Sequence, residues 1–159
     1  MNQTVTLTNI SLMITNAKCD AVKRYMRRFC TGDLIFMDWN DFAEFVLATD
    51  PLIRYVGVVD NQYRLILSKN RPGIVPFVSD ETDRRYMPIA PPLILEAVEK
   101  LQGFVGNLHG VVARYDKLVF AFFRYDDHTI ILTAETKIET PLITKIARAL
   151  NELSSKTKQ

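Results

Sequence analysis

Asp126, Asp127 and His128 stand in a row, two carboxylates and an imidazole of the kind that bind metals or exchange protons. All three fall in a predicted hairpin turn. Asp is favoured there because its side chain bonds the local backbone and tolerates unusual φ, so turn formation is the preferred reading. His109, beside Gly110 at a helix-to-strand junction, has no Ser, Cys or carboxylate neighbour in a nucleophile motif and reads as a loop histidine. Cys19 and Cys30 are separated by ten residues with neither histidine nearby. That spacing matches neither a zinc site nor a disulfide framework, and both read as small hydrophobes. Arg71-Pro72-Gly73 offers an arginine to a phosphate, but the glycine-rich GxxxxGK[ST] cradle is absent and turn formation accounts for these residues. Trp39, Tyr55, Tyr86 and Tyr125 follow no base-stacking signature and are assigned to core and rim packing. The expectation is a chain that is not an enzyme and needs no metal or cofactor. Screening against nucleotides, esters and phosphoesters should give nothing above blank.

With the chemistry sparse, the elements carry the argument. The 159 residues, 48% apolar and 24% charged, suffice for one ordinary globular domain with a sizeable core. The longest apolar runs, at 118–123 and 129–134, fall far short of the roughly 20 residues that a membrane-spanning helix needs. The first 14 residues lack a basic n-region and their apolar residues are interrupted by Thr and Asn, unlike a signal peptide; a cytoplasmic setting is expected. A net charge of +2 conceals an asymmetry. Residues 1–37 carry five Lys or Arg against two Asp, a net +3, and the other 122 carry 15 basic against 16 acidic, a net −1. The change coincides with a change of pattern near Met37, which divides an N-terminal extension (1–37) from a main domain (38–159).

In the main domain, Asp38 or Asn40 can cap a first helix with Phe42, Phe45 and Val46 on its apolar face, stopped by Asp50-Pro51. A hairpin follows, with strands at 53–59 and 63–68 joined by Asp60-Asn61-Gln62. In the first strand Val56 and Val58 share one face, and Ile53, Tyr55 and Val59 the other. With both faces apolar, that strand is expected to be central. Residues 69–90 are irregular, broken by Pro72-Gly73, Pro76 and Pro88, with one helical turn at 79–85. A second helix opens at Pro91-Pro92, carries Leu93, Ala97, Leu101 and Phe104 at spacings of three and four, and ends at Gly103 and Gly106. Strands at 111–115, 118–124 and 129–134 have links too short for parallel crossovers and form an antiparallel meander. Thr140 and Pro141 open a last helix with Leu142, Ile143, Ile146, Ala149, Leu150 and Leu153 in one stripe. The sum is an α+β domain, a five-stranded antiparallel sheet flanked by helices in the order helix-strand-strand-helix-strand-strand-strand-helix.

A family resemblance is carried by the stretches Asp50-Pro51-Leu52-Ile53-Arg54-Tyr55-Val56-Gly57-Val58-Val59-Asp60, Ser68-Lys69-Asn70-Arg71-Pro72-Gly73, Tyr115-Asp116-Lys117 and Asp126-Asp127-His128-Thr129-Ile130-Ile131-Leu132. The chain resembles, over about residues 38–153, a group of small archaeal proteins with a roadblock (dynein light chain) or profilin-like domain, related in shape to bacterial GTPase-activating subunits. The resemblance implies a non-catalytic, homodimeric interaction module that regulates or scaffolds a small GTPase. It further implies pairing through the second helix and third strand, which hold Leu93, Ala97, Leu101, Phe104, Val111 and Ala113. A two-fold contact of that kind is self-complementary and covers a sheet edge.

Two other functions compete. A five-stranded sheet with flanking helices also suits a small-molecule sensor of PAS/GAF-like type, with residues 69–90 as the lid of its pocket. Nucleic-acid binding is the other, through a basic helix at 17–30, where Lys23, Arg24, Arg27 and Arg28 lie opposite an apolar stripe of Val22, Tyr25, Met26 and Phe29. Those four basic residues suit an anion or an acidic partner, while the stripe is expected to dock on protein, because roughly 25 cal/mol per Å² makes apolar area costly to leave in water.

Overall fold

In a computed structural model of the protein the described residues are 38–139, 141–144 and 146–147. The basic helix at 17–30, and with it the extension at 1–37, lies outside them. The elements run α1 (Trp39–Thr49), β1 (Ile53–Val59), β2 (Leu65–Asn70), α2 (Asp80–Tyr86), α3 (Ala90–Glu99), α4 (Gln102–Val105), β3 (Val111–Arg114), β4 (Val119–Tyr125) and β5 (His128–Ala134). Residues 141–144 and 146–147 are helical. The five strands form one sheet in the order β2-β1-β5-β4-β3, antiparallel at every pairing. The expected α+β architecture and meander are present, and β1 lies inside the sheet as its two apolar faces require.

One face of the sheet packs against α1 and the C-terminal helical residues. Phe42, Val46, Val56, Val58, Phe123 and Ile130 meet there with Ile143 and Ile146. Helix α1 begins as expected at Asp38, whose side chain accepts from the Asn40 amide. The other face is thinner. Tyr55, Val59, Phe122 and Ile131 pack there under Leu95 of α3, with Met87 and Phe120 at the margin.

Four local expectations need correction. Ile53 shares a face with Val56 and Val58, and not with Tyr55, because the β1–β5 register shifts between Ile53 and Tyr55 and the bulge reverses the alternation. Strand β2 begins at Leu65 and not at residue 63, since the Asp60 carboxylate accepts from the amides of Gln62 and Arg64, both at 2.9 Å, and draws residues 60–64 into the loop. The second helix divides into α3 and α4. The Leu101 amide donates to the Val98 carbonyl at 3.1 Å, three residues back, and Gly103 follows the break, inside α4. The terminus is Gly106, at φ +96°. Of the Asp126-Asp127-His128 triplet only the two aspartates form the turn; His128 opens β5, paired with Tyr125. Its ring lies 4.7 Å from that of Trp39, and its Nδ1 lies 2.7 Å from Asp127 Oδ1.

Gly57 has a particular reason to be glycine. A Cβ there would lie 2.8 Å from the Tyr55 hydroxyl oxygen and 3.0 Å from the ring, so the missing side chain lets the tyrosine lie along its own strand. Gly57→Ala recovers about 0.5–1 kcal/mol of strand entropy. Displacing a buried ring costs more, about 1–3 kcal/mol. The variant is expected to be destabilised, with a lower urea midpoint and an unchanged slope.

Candidate functional site

Helix α3 is held on the sheet by its N-terminal prolines and by Leu95. Pro91, Pro92 and Leu95 are its buried residues. Its acidic side is tied down as well. Glu99 receives Arg124 of β4 in a two-point pair, Nε to Oε1 at 3.0 Å and Nη2 to Oε2 at 3.2 Å. Glu96 accepts from the Tyr63 hydroxyl in the β1–β2 loop. With those sides committed, the remaining face turns outward. Leu93 is 49% exposed, Leu101 56% and Phe104 87%, and Ala97 is exposed too. Ile94 and Val105, absent from the expected stripe, extend the patch. Val111 and Ala113 are half-buried on β3, an edge strand. A monomer rarely leaves so many large apolar groups together in water, and an open strand edge invites pairing.

The second surface lies beneath residues 71–89. Arg54 anchors this segment by donating to the Val75 carbonyl at 2.9 Å, pairing with Glu135, and placing its guanidinium 4.5 Å from the centre of the Phe77 ring. Helix α2 then starts at Ser79, which accepts from the Thr82 amide at 3.2 Å, as the expected helical turn requires. Under it, Tyr55 and Asp83 are among the residues lining a cavity of about 100 Å³. The Tyr55 hydroxyl and Asp83 Oδ1 have no hydrogen-bond partner. Burial pushes the tyrosine up to about 12, with Asp83 and Asp80 adding to the rise. The Ser68 hydroxyl, on the residue paired with Gly57, opposes it, although its geometry falls short of a hydrogen bond.

Burial and the neighbouring Asp80 charge likewise raise Asp83. Since its folded value lies above the unfolded one, the stability linked to Asp83 is complete below the unfolded value and is lost as pH rises through the folded one. Two variants should therefore be more stable than the wild type. Tyr55→Phe removes a buried unpaired hydroxyl worth about 1 kcal/mol, a rise in Tm of about 2–4 °C. Asp83→Asn should raise Tm at neutral pH and leave less of the gain in acid. Differential scanning calorimetry at both pH values reads both outcomes.

Arg71, set aside on sequence grounds as a phosphate ligand, occupies a structural position. Arg71 donates from Nε to the Ile53 carbonyl at 2.6 Å and from Nη2 to the Asp50 carbonyl at 2.7 Å and to the Leu47 carbonyl. Its guanidinium thus serves backbone oxygens and not a phosphate. His109 is exposed in the loop after α4. Lys23, Arg24, Arg27 and Arg28, with both cysteines, lie outside the described residues. Among the described residues no cluster of three or more His, Cys, Asp or Glu is placed to hold a metal, and no helix is long and apolar enough to cross a membrane.

No protein-family model matches the chain, and no curated protein is significantly similar to it. Solved structures do match. A roadblock/LC7 domain from Streptomyces avermitilis aligns with a TM-score of 0.56 at 8% identity, over 77% of this chain and 98% of that one. Myxococcus xanthus MglB aligns at 0.51 and 15% identity, over 71% of this chain and 89% of its own. A structure of MglB with a tetrameric arrangement aligns at 0.52 and 11% identity, over 87% and 93%. At such identities the likeness is one of shape, and the shape is the roadblock/LC7 fold.

Proposed function

We propose that the protein is a non-catalytic interaction module working as a homodimer, and that its partner is a small GTPase which it regulates or scaffolds. The observation that carries the reading is the outward apolar face of α3 and α4, with Leu93, Ala97, Leu101 and Phe104, beside the open edge of β3 with Val111 and Ala113. Two copies meeting on this face would pair β3 with β3 and extend the sheet across a two-fold axis. The GTPase rests on the resemblance to roadblock-like proteins. Lys23, Arg24, Arg27 and Arg28 are kept as the candidate contact for an acidic partner.

Light scattering after size exclusion tests the assembly. At tens of micromolar the expected mass is twice the 18.2 kDa of one chain. A mass of one chain would remove the support for this reading.

A further inference from the structure

The outward apolar face of α3 and α4 is most exposed at its C-terminal end, where Phe104 is 87% and Val105 80% exposed. Large apolar groups left together in water mark a contact surface. Helix α4 also lies near the point where the chain enters the domain. Trp39, the first residue of α1, has its ring 6.3 Å from that of Tyr125 and 4.7 Å from that of His128, beside the β4–β5 turn. Glu99, just before α4, pairs with Arg124 next to that turn, and a Cβ on Gly110, just after α4, would lie 3.3 Å from that of Phe123. The start of α1 and the α3–α4 junction therefore meet the same end of β4 from opposite faces of the sheet.

Residues that precede Asp38 are thereby tethered beside this face. The stripe of Val22, Tyr25, Met26 and Phe29 is joined to it through residues 30–37, which reach about 26–29 Å at 3.3–3.6 Å each. From α1 through the sheet to α3 is two layer spacings, about 20 Å, so the tether is long enough. A linker this short holds what it carries at roughly millimolar local concentration, which a second copy at about tens of micromolar does not match. Charge favours the same seat. Glu96, Asp126 and Asp127 place three negative charges at this end of the domain against one positive from Lys100, the Asp60–Arg64 and Glu99–Arg124 pairs cancelling, while residues 1–37 carry a net +3. In a helix of 3.6 residues per turn Lys23 and Arg28 border the apolar stripe on either side, the positions from which long basic side chains reach carboxylates around an apolar contact.

We propose that residues 17–30 dock on α4 of their own chain, the stripe covering Phe104 and Val105, and that a second copy must displace them to use this face. The docking stands by itself. The displacement rests on the dimer reading, because Phe104 belongs to both contacts.

Met26 lies in the stripe and serves as a local reporter. In the full chain with methyl-labelled methionine, Met26→Leu assigns its signal, and Phe104→Ala should move that signal by removing the ring it packs on while Met87 stays in place. Phe29→Asp should release the stripe and leave the Met26 methyl at its position in urea, in protein shown to be folded by circular dichroism. The docked signal should be fullest at the lowest concentrations, where the chain is single, and fade as dimer forms. In sedimentation velocity Phe29→Asp should tighten the dimer at least about tenfold, because the closed fraction no longer subtracts from the affinity of each copy. A wild-type Met26 methyl already at its urea position, or one that Phe104→Ala leaves in place, would overturn the docking. A Met26 shift that grows with concentration would give the seat to the extension of another copy and overturn it as well. If the docking holds and Phe29→Asp leaves the dimer unchanged or weaker, the displacement falls. If wild type and Phe29→Asp are both monomeric, the dimer reading fails and the displacement with it, while the Met26 signal still decides the docking.

Discussion

Leu101→Glu should turn the proposed dimer into monomers, with a dissociation constant raised at least about a hundredfold. Leu101 is 56% exposed in the single chain and sits at the junction of α3 and α4, so the carboxylate is hydrated in the free monomer and the fold should survive. At the two-fold face the same carboxylate would be buried without a partner, at a cost of about 3–5 kcal/mol. Symmetry places it there twice. Even one such charge at the low end exceeds the 2.8 kcal/mol, or about two decades, that a hundredfold change requires. Leu101→Met, which conserves volume and polarity, should remain dimeric. Sedimentation velocity over a concentration series separates the outcomes; a Leu101→Glu protein that stays dimeric would place the contact elsewhere.

Arg71→Ala should cost about 3 kcal/mol of stability without changing the oligomer. Its guanidinium reaches the Leu47 carbonyl in the last turn of α1, the Asp50 carbonyl beyond it, and the Ile53 carbonyl at the start of β1. Hydrogen bonds from a charged donor contribute roughly 1.5–3 kcal/mol each, but water can reach part of this site and recover some of the loss. The guanidinium is held below its ordinary value by burial, partly offset by Asp50, which marks how far it has been withdrawn from solvent. Arg71→Lys should recover only a small part, since one ammonium lacks the planar fork that spans three carbonyls. Urea unfolding of the three proteins checks the order.

Much of the architecture was legible because it is written locally. The Phe42 and Val46 spacing, the Asp38 cap, the alternating strands and the Asp126-Asp127 turn act over a few residues, and the elements formed near the expected places. The misplaced face of Ile53 shows the limit. Alternation gives the wrong side for that residue because the bulge beside Arg54 arises from register with β5, far along the chain. The role of Arg71 was hidden for a related reason, as its partners are backbone carbonyls, which any sequence possesses. The outward stripe of α3 and α4 was visible as apolar spacing, but its direction depends on Leu95 and the Glu99–Arg124 pair fixing the helix roll. Tyr55 and Asp83 carried no signal at all. Being unpaired is a property of what surrounds them, and only the packing of α2 over β1 reveals it.

The strand order has a consequence for how the chain folds. Hairpin β1–β2 and the β3–β4–β5 meander each close over short loops, and each can form early. The seam between them, β1 against β5, joins parts of the chain as distant as Arg54 and Glu135, 81 residues apart. Closing so long a loop costs chain entropy before the contacts repay it. Joining the two halves is thus the step expected to be slow, and on the ribosome β1 must wait, one edge unpaired, until β5 has emerged.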